Sequence, residues 1–147
     1  MEGFDQWRKL RARTWTGAFG TWAAEACAAT DRLQEALAIS GQTLEHIQRV
    51  NERAFEPEGH RIRGELLLQA AAIGDAEECF RRALAVAREQ RTRSWELRAA
   101  TSLARLLNDQ GRYGEARNLL APVYGWFTEG FDTPDLKEAK TLLDELG

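Results

Sequence analysis

The sequence repeats itself after forty residues. Gly64-Glu65-Leu66-Leu67, followed by Ala76, Phe80, Ala83 and Leu84, returns as Ala104-Arg105-Leu106-Leu107, followed by Ala116, Leu120, Val123 and Tyr124. A fainter copy lies forty residues earlier at Ala24, Cys27, Ala36 and Leu44, so the period covers most of the 147-residue chain. A unit of this length buries its apolar face by stacking on copies of itself, which is the signature of a solenoid. Such an array offers a long surface and no catalytic pocket. The functional reading therefore starts from binding of other polypeptides.

The period is built from helices, because apolar residues recur at three- and four-residue spacing and no period-two run is long enough to compete as a strand. Phe4, Trp7 and Leu10 predict an amphipathic helix over 3–13, and an alanine-rich helix follows over 15–29. Asp31 is the expected N-cap of a third helix with Leu33, Ala36, Leu37, Leu44, Ile47 and Val50 inward and a polar centre, Ser40-Gly41-Gln42-Thr43. Pro57 opens a fourth helix, with Gly74-Asp75 as its expected end, and Asp75 and Ser94 are the expected caps of the fifth and sixth. Gly111 closes the sixth. A seventh spans 113–128 around Pro122, and Thr133-Pro134 opens an eighth with Leu136, Ala139, Leu142, Leu143 and Leu146 inward. Short connections make successive helices antiparallel neighbours. The expected architecture is a single all-α domain over 1–147, a right-handed superhelix of stacked antiparallel helical hairpins. It divides into an N-terminal helix over 1–13, repeats over 14–53, 54–93 and 94–130, and a capping helix over 131–147.

Composition narrows the function classes. With 44% hydrophobic and 29% charged residues and three prolines the chain has a globular balance, and a net charge of −3 argues against a nucleic-acid partner, which needs a concentrated basic face. Met1-Glu2-Gly3-Phe4-Asp5 carries no secretory pattern and no window is apolar enough to span a bilayer, so a soluble, cytoplasmic protein without a membrane partner is expected. Cys27 and Cys79 sit at apolar positions and read as reduced, buried thiols. His46 and His60 lie on different helices with no ligand-spaced neighbours, which gives no metal site. Gly59-His60-Arg61-Ile62-Arg63-Gly64 has phosphate-loop glycine spacing, but Glu65-Leu66 follows where lysine and a hydroxyl residue are needed. No nucleophile, base and orienting group can be named, so the expectation is a protein that is not an enzyme and takes no cofactor.

The hairpins resemble tetratricopeptide repeats, in which a small residue of the first helix meets a small residue early in the second. Gly64 with Ala76 and Ala104 with Ala116 hold those places, followed by Phe80 or Leu120 and Ala83 or Val123. Departures are a period of forty rather than about thirty-four, a turn glycine at Gly74 in one copy but three places earlier, at Gly111, in the other, and no terminal proline. The stretches His60–Leu68, Cys79–Leu84, Ser94–Ala100 and Tyr124–Phe131 further resemble the C-terminal repeats of large bacterial regulators, where they follow a cyclase or DNA-binding domain and a signalling ATPase module. Neither of those modules is in this sequence. The resemblance implies an interaction scaffold in bacterial signalling or regulation.

It also implies where a partner would lie, since the exposed concave positions of first helices recur. Here they are Thr21 and Glu25, then Arg61, Glu65 and Gln69, then Arg98, Thr101, Arg105 and Asn108. Three arginines suggest an acidic peptide or chain terminus, because guanidinium groups bind carboxylates bidentately; the alternative is a solvated face with Glu65 and Glu96 as partners. Tyr124, Trp126, Phe127 and Phe131 are expected to cover the seam before the last helix, or, in a second reading, to line the pocket of a small-molecule sensor. Phe4, Trp7 and Leu10 form an apolar face at the array's edge, which suggests a homodimer through the N-terminal helix.

Overall fold

The helices pair because of how each one ends. The computed structural model describes residues 16–51 and 53–147, so the helix expected over 3–13, with Phe4, Trp7 and Leu10, lies outside the described residues. Among the described residues there are seven helices and no strand: α1 (Thr16–Ala29), α2 (Leu33–Val50), α3 (Glu56–Gln69), α4 (Ile73–Gln90), α5 (Arg93–Asp109), α6 (Tyr113–Gly125) and α7 (Pro134–Leu146). A left-handed residue closes the chain at Asp31, Ala71 and Gly111, forty residues apart, and again at Asn51 and Arg91. In the first set the next amide reaches back over the turn: Arg32 N–H to the Cys27 carbonyl (2.9 Å), Ala72 to Leu67 (2.9 Å) and Arg112 to Leu107 (2.8 Å). This is the Schellman closure, which satisfies carbonyls that the helix end leaves unpaired.

These closures correct four expected helix boundaries. Asp31 is the left-handed closing residue and not an N-cap, and α2 starts after Arg32 with no side-chain cap. Gly74 and Asp75 lie inside α4, which begins at Ile73; the turn belongs to Ala71. Ser94 lies inside α5, whose capping position is Thr92. The reason is common to all: the closure reverses the chain within two residues, so the next helix begins before the expected capping side chain is reached. At Thr133-Pro134 the proline does open α7, but the Thr133 hydroxyl donates to the Gly130 carbonyl (2.7 Å) instead of capping.

The chain divides between Cys79 and Phe80 into two units, with α4 running through the boundary. In the first, α1, α2 and α3 pack on one another around Ala24, Cys27, Ala36, Ile39, Ile62 and Leu66. In the second, α5, α6 and α7 pack on one another, burying Leu97, Leu103, Leu107, Leu120, Val123, Leu136 and Leu142. The small residues of the repeat, Ala24 and Ala36, Gly64 and Ala76, Ala104 and Ala116, are all buried. The polar centre of α2 does not interrupt the helix. The Thr43 hydroxyl donates to the Ile39 carbonyl (2.7 Å), the Ser40 hydroxyl to the Leu37 carbonyl (2.8 Å), and Arg63 Nη1 to both the Leu37 carbonyl (3.0 Å) and Ser40 Oγ (2.8 Å). Gly41 lets that guanidinium approach, since a Cβ there would lie 3.3 Å from Nη1.

Candidate functional site

A groove runs between the two first helices of the opening unit. Glu25, Ala28 and Ala29 come from one face of α1, spaced three and four residues apart. Arg61, Ile62, Glu65, Leu66 and Gln69 come from α3, and together they enclose about 300 Å³. The alanines leave the space; Ile62 and Leu66, both buried, form an apolar floor, while Glu25 and Gln69 are exposed at the edge. Four of the nine expected groove residues, Glu25, Arg61, Glu65 and Gln69, are thereby brought together.

The electrostatics of the groove are set by its glutamates. Arg61 forks onto Glu58, Nε to Oε2 at 2.9 Å and Nη2 to Oε1 at 2.6 Å, and lies 3.7 Å from Glu65. Both partners of the fork are nearly buried, with side-chain exposures of 12% and 7%. Burial pushes the Arg61 pKa down, but the hydrogen bonds and charge of Glu58, helped by Glu65 and Glu25, outweigh it and hold the guanidinium above its ordinary value. Arg61 is therefore a fixed cation already matched by carboxylate.

The remaining candidates divide as follows. The Thr21 side chain lies outside the described residues. On α5, Arg98 Nε is 3.7 Å from Asp135 Oδ1 and its guanidinium lies 5.8 Å from the Trp95 ring centroid, while Arg105 pairs with Glu138; both acids belong to α7. Asn108 is half-buried. Thr101 corrects the expectation of an exposed position: it is buried, and its hydroxyl donates to the Leu97 carbonyl (2.8 Å). Glu96 is likewise not a partner for the α5 arginines, because it is buried against Arg88 (2.9 Å). Forty residues before it, Glu56 is buried in the same way against Arg53 (2.8 Å) and 3.5 Å from His60 Nε2, a recurrence that the repeat could have disclosed.

The aromatic cluster is not a core seam. α6 ends at Gly125, short of the expected 128, so Trp126 and Phe131 stand exposed on the connection to α7. The Arg93 guanidinium stacks 4.7 Å from the Trp126 centroid, and Tyr124 and Phe131 tilt against each other at 5.9 Å. Of the thiols, Cys27 is buried, and burial, with Glu78 and Asp75 adding to it and Arg63 opposing, pushes Cys79 above the ordinary thiol value. Cys79 thus lacks the lowered pKa of a nucleophile. Among the described residues no group of three or more His, Cys, Asp and Glu could hold a metal ion, and no helix is long and apolar enough to cross a membrane.

No protein-family model matches the sequence, and no curated protein matches it. Solved structures do. A Podosopora anserina protein assigned as a kinesin light chain, built of nearly identical TPR-like repeats, superposes with a TM-score of 0.71 at 19% identity, and a point variant of it with 0.73 at the same identity; both matches cover 96% of this chain and 70% of the other. The fold is TPR-like. The forty-residue copies are therefore TPR-like helical hairpins of an α-solenoid, with α1, α3 and α5 as first helices. At 19% identity the likeness extends to architecture alone.

Proposed function

We propose that the chain is a non-enzymatic interaction module that holds an extended segment of a partner protein in the groove between α1 and α3. The observation that carries this reading is the groove itself, a polar rim of Glu25, Glu65 and Gln69 around an apolar floor on the first helices of two consecutive hairpins. Peptide sites of this kind combine side-chain pockets with a few orienting polar groups. The resemblance of residues 60–146 to regulator repeats supports placing the module in bacterial signalling, in a cytoplasmic protein of three repeats over 14–53, 54–93 and 94–130. The apolar set Phe4, Trp7 and Leu10 adds a proposed homodimer contact, which sedimentation of a Trp7→Glu, Leu10→Glu double variant tests directly. The sensor reading has less support, because Trp126 and Phe131 present an open face and not an enclosed pocket.

The test is selection of peptides from a displayed library on the full chain, followed by amide chemical-shift mapping. Ligands whose shifts centre on Ala28, Ile62 and Gln69 support the module. Selection that enriches nothing, or shifts confined to other residues, rejects the groove.

A further inference from the structure

The second unit carries one construction twice, once complete and once open. In the complete copy the Arg98 guanidinium lies 5.8 Å from the Trp95 ring centroid, and its Nε lies 3.7 Å from the carboxylate of Asp135. In the open copy Arg93, at the start of the same helix, lies 4.7 Å from the Trp126 centroid. Among the described residues the Arg93 side chain has no ion pair and no hydrogen bond. We propose that Arg93, held over Trp126, receives the carboxylate of an aspartate or glutamate side chain on a partner protein. This contact involves α5 and the α6–α7 connection alone and does not rest on the reading of the groove between α1 and α3.

The ring prepares the arginine for that role. A guanidinium carries its N–H donors in one plane, so an aromatic ring that covers its face leaves the donor edge available to fork onto a carboxylate. Holding a long side chain in place before the partner arrives also removes part of the ordering cost of binding. Arg49, Arg82 and Arg91 are exposed and without an ion pair among the described residues too, but no described ring holds them. The surroundings fix the rest of the occupant. Trp126 is 48% exposed and Phe131, which tilts against Tyr124, is 46% exposed, so the cation stands beside apolar surface that a bare ion would leave uncovered. Glu129 and Asp132 lie on the same connection and disfavour a polyanion by like-charge repulsion. A single carboxylate flanked by apolar side chains satisfies both conditions.

The experiment titrates the full chain at physiological salt with an end-blocked pentapeptide, alanine-leucine-glutamate-leucine-alanine, and with its central glutamine and phosphoserine counterparts, following backbone amide and indole N–H shifts. Expected are shifts at Arg93 and at the Trp126 indole, and binding of the glutamate peptide about three- to fivefold tighter than the glutamine peptide, the range of an exposed charge pair. Arg93→Gln should abolish that preference, and Arg93→Lys, which keeps the charge without the planar fork, should retain only part of it. Trp126→Ala should reduce it by releasing the arginine. Arg82→Gln, which removes an equally exposed arginine from α4, should leave it unchanged. Equal affinity for the glutamate and glutamine peptides, or shifts that leave Arg93 and Trp126 unmoved, overturns the proposal. An Arg82→Gln loss as large as that of Arg93→Gln also overturns it, since it reveals attraction to net charge alone. A phosphoserine peptide preferred more than about tenfold over the glutamate peptide overturns the carboxylate assignment in favour of a phosphate site. These results leave the groove between α1 and α3 untouched, and the library selection tests that separately.

Discussion

The two units solve the same packing positions with opposite chemistry. Shifts of eighty, eighty and forty residues set Ser40, Thr43 and Arg63 of the first unit against Leu120, Val123 and Leu103 of the second. The later three are fully buried apolar side chains, whereas of the earlier three Arg63 and Ser40 form a hydrogen-bonded staple beside Gly41 and Thr43 donates to the Ile39 carbonyl of its own helix. The repeat thus constrains size and helix position, and it tolerates polarity where every buried donor and acceptor finds a partner. Burying a leucine stabilises by about 1.5–3 kcal/mol and a net hydrogen bond by about 0.5–1.5 kcal/mol. The second unit should accordingly be the more stable by roughly 3 kcal/mol, as the sum of those differences. Native-state hydrogen exchange reads this directly: amides of α1 and α2 should open at a lower free energy than those of α5 and α6. Equal protection would break the comparison.

A second, smaller effect sharpens it. Gly20 and Thr43 meet so closely that a Cβ on Gly20 would lie 2.1 Å from the threonine hydroxyl and 2.8 Å from its methyl, while the matching position eighty residues on is the buried Ala100. Gly20→Ala should destabilise by roughly 1–3 kcal/mol through overpacking. Thr43→Ala in the same chain should restore most of the loss, and two single-variant effects that simply add in the double variant would show that the contact is not the cause.

How much of this the sequence discloses depends on the distance over which each interaction is decided. The small-residue pairs such as Ala104 and Ala116 are legible because their period is local and repeated. The staple is not, because Ser-Gly-Gln-Thr reads as a weak point until Arg63, twenty-three residues beyond Ser40, is brought to it. The groove positions Glu25, Arg61, Glu65 and Gln69 follow from the tetratricopeptide resemblance, which places them on first helices. Glu58, three residues before Arg61, is an ordinary helix-spaced partner for it, legible from the sequence spacing. Arg98 and Arg105 find Asp135 and Glu138 across a tertiary contact that no spacing announces.

The turns give the next comparison. Ala71 and Gly111 close equivalent helices with φ of 60° and 76°, and only the glycine takes that conformation without a steric cost. The misassigned turn glycine, Gly74, sits inside α4 with nothing within 4 Å of an added Cβ, and there a glycine weakens the helix. Ala71→Gly should stabilise the first unit by about 0.5–1 kcal/mol and Gly111→Ala should destabilise the second by about 1 kcal/mol. Gly74→Ala should stabilise by up to about 1 kcal/mol. Chemical denaturation at constant m-value measures all three. Destabilisation by Ala71→Gly would place the left-handed residue elsewhere.

The smallest expected effect concerns the charged start of the second helix in each hairpin. In the first unit Glu35 pairs with Arg32; eighty residues on, Glu115 accepts from Arg112 Nε and Nη2, each at 2.9 Å, and from Arg81 Nη2 at 3.0 Å. Hydrogen bonds from Arg112 and then Arg81 hold the Glu115 carboxyl below the usual carboxylate range. Because the folded pKa is lower than the unfolded value of about 4.3, the ionised form favours folding. That contribution is complete above the unfolded value and is lost as pH falls through the folded one. The cluster is fully exposed, so solvent and salt screen it heavily. Comparing the melting temperatures of the parent and Glu115→Gln, the parent should be slightly the more stable near pH 7. The difference should stay constant up to pH 9, shrink in 1 M salt, and vanish once the pH has fallen through the lowered folded pKa and the carboxyl is protonated. A difference that persists in acid would mean that Glu115 acts by its packing and not by its charge.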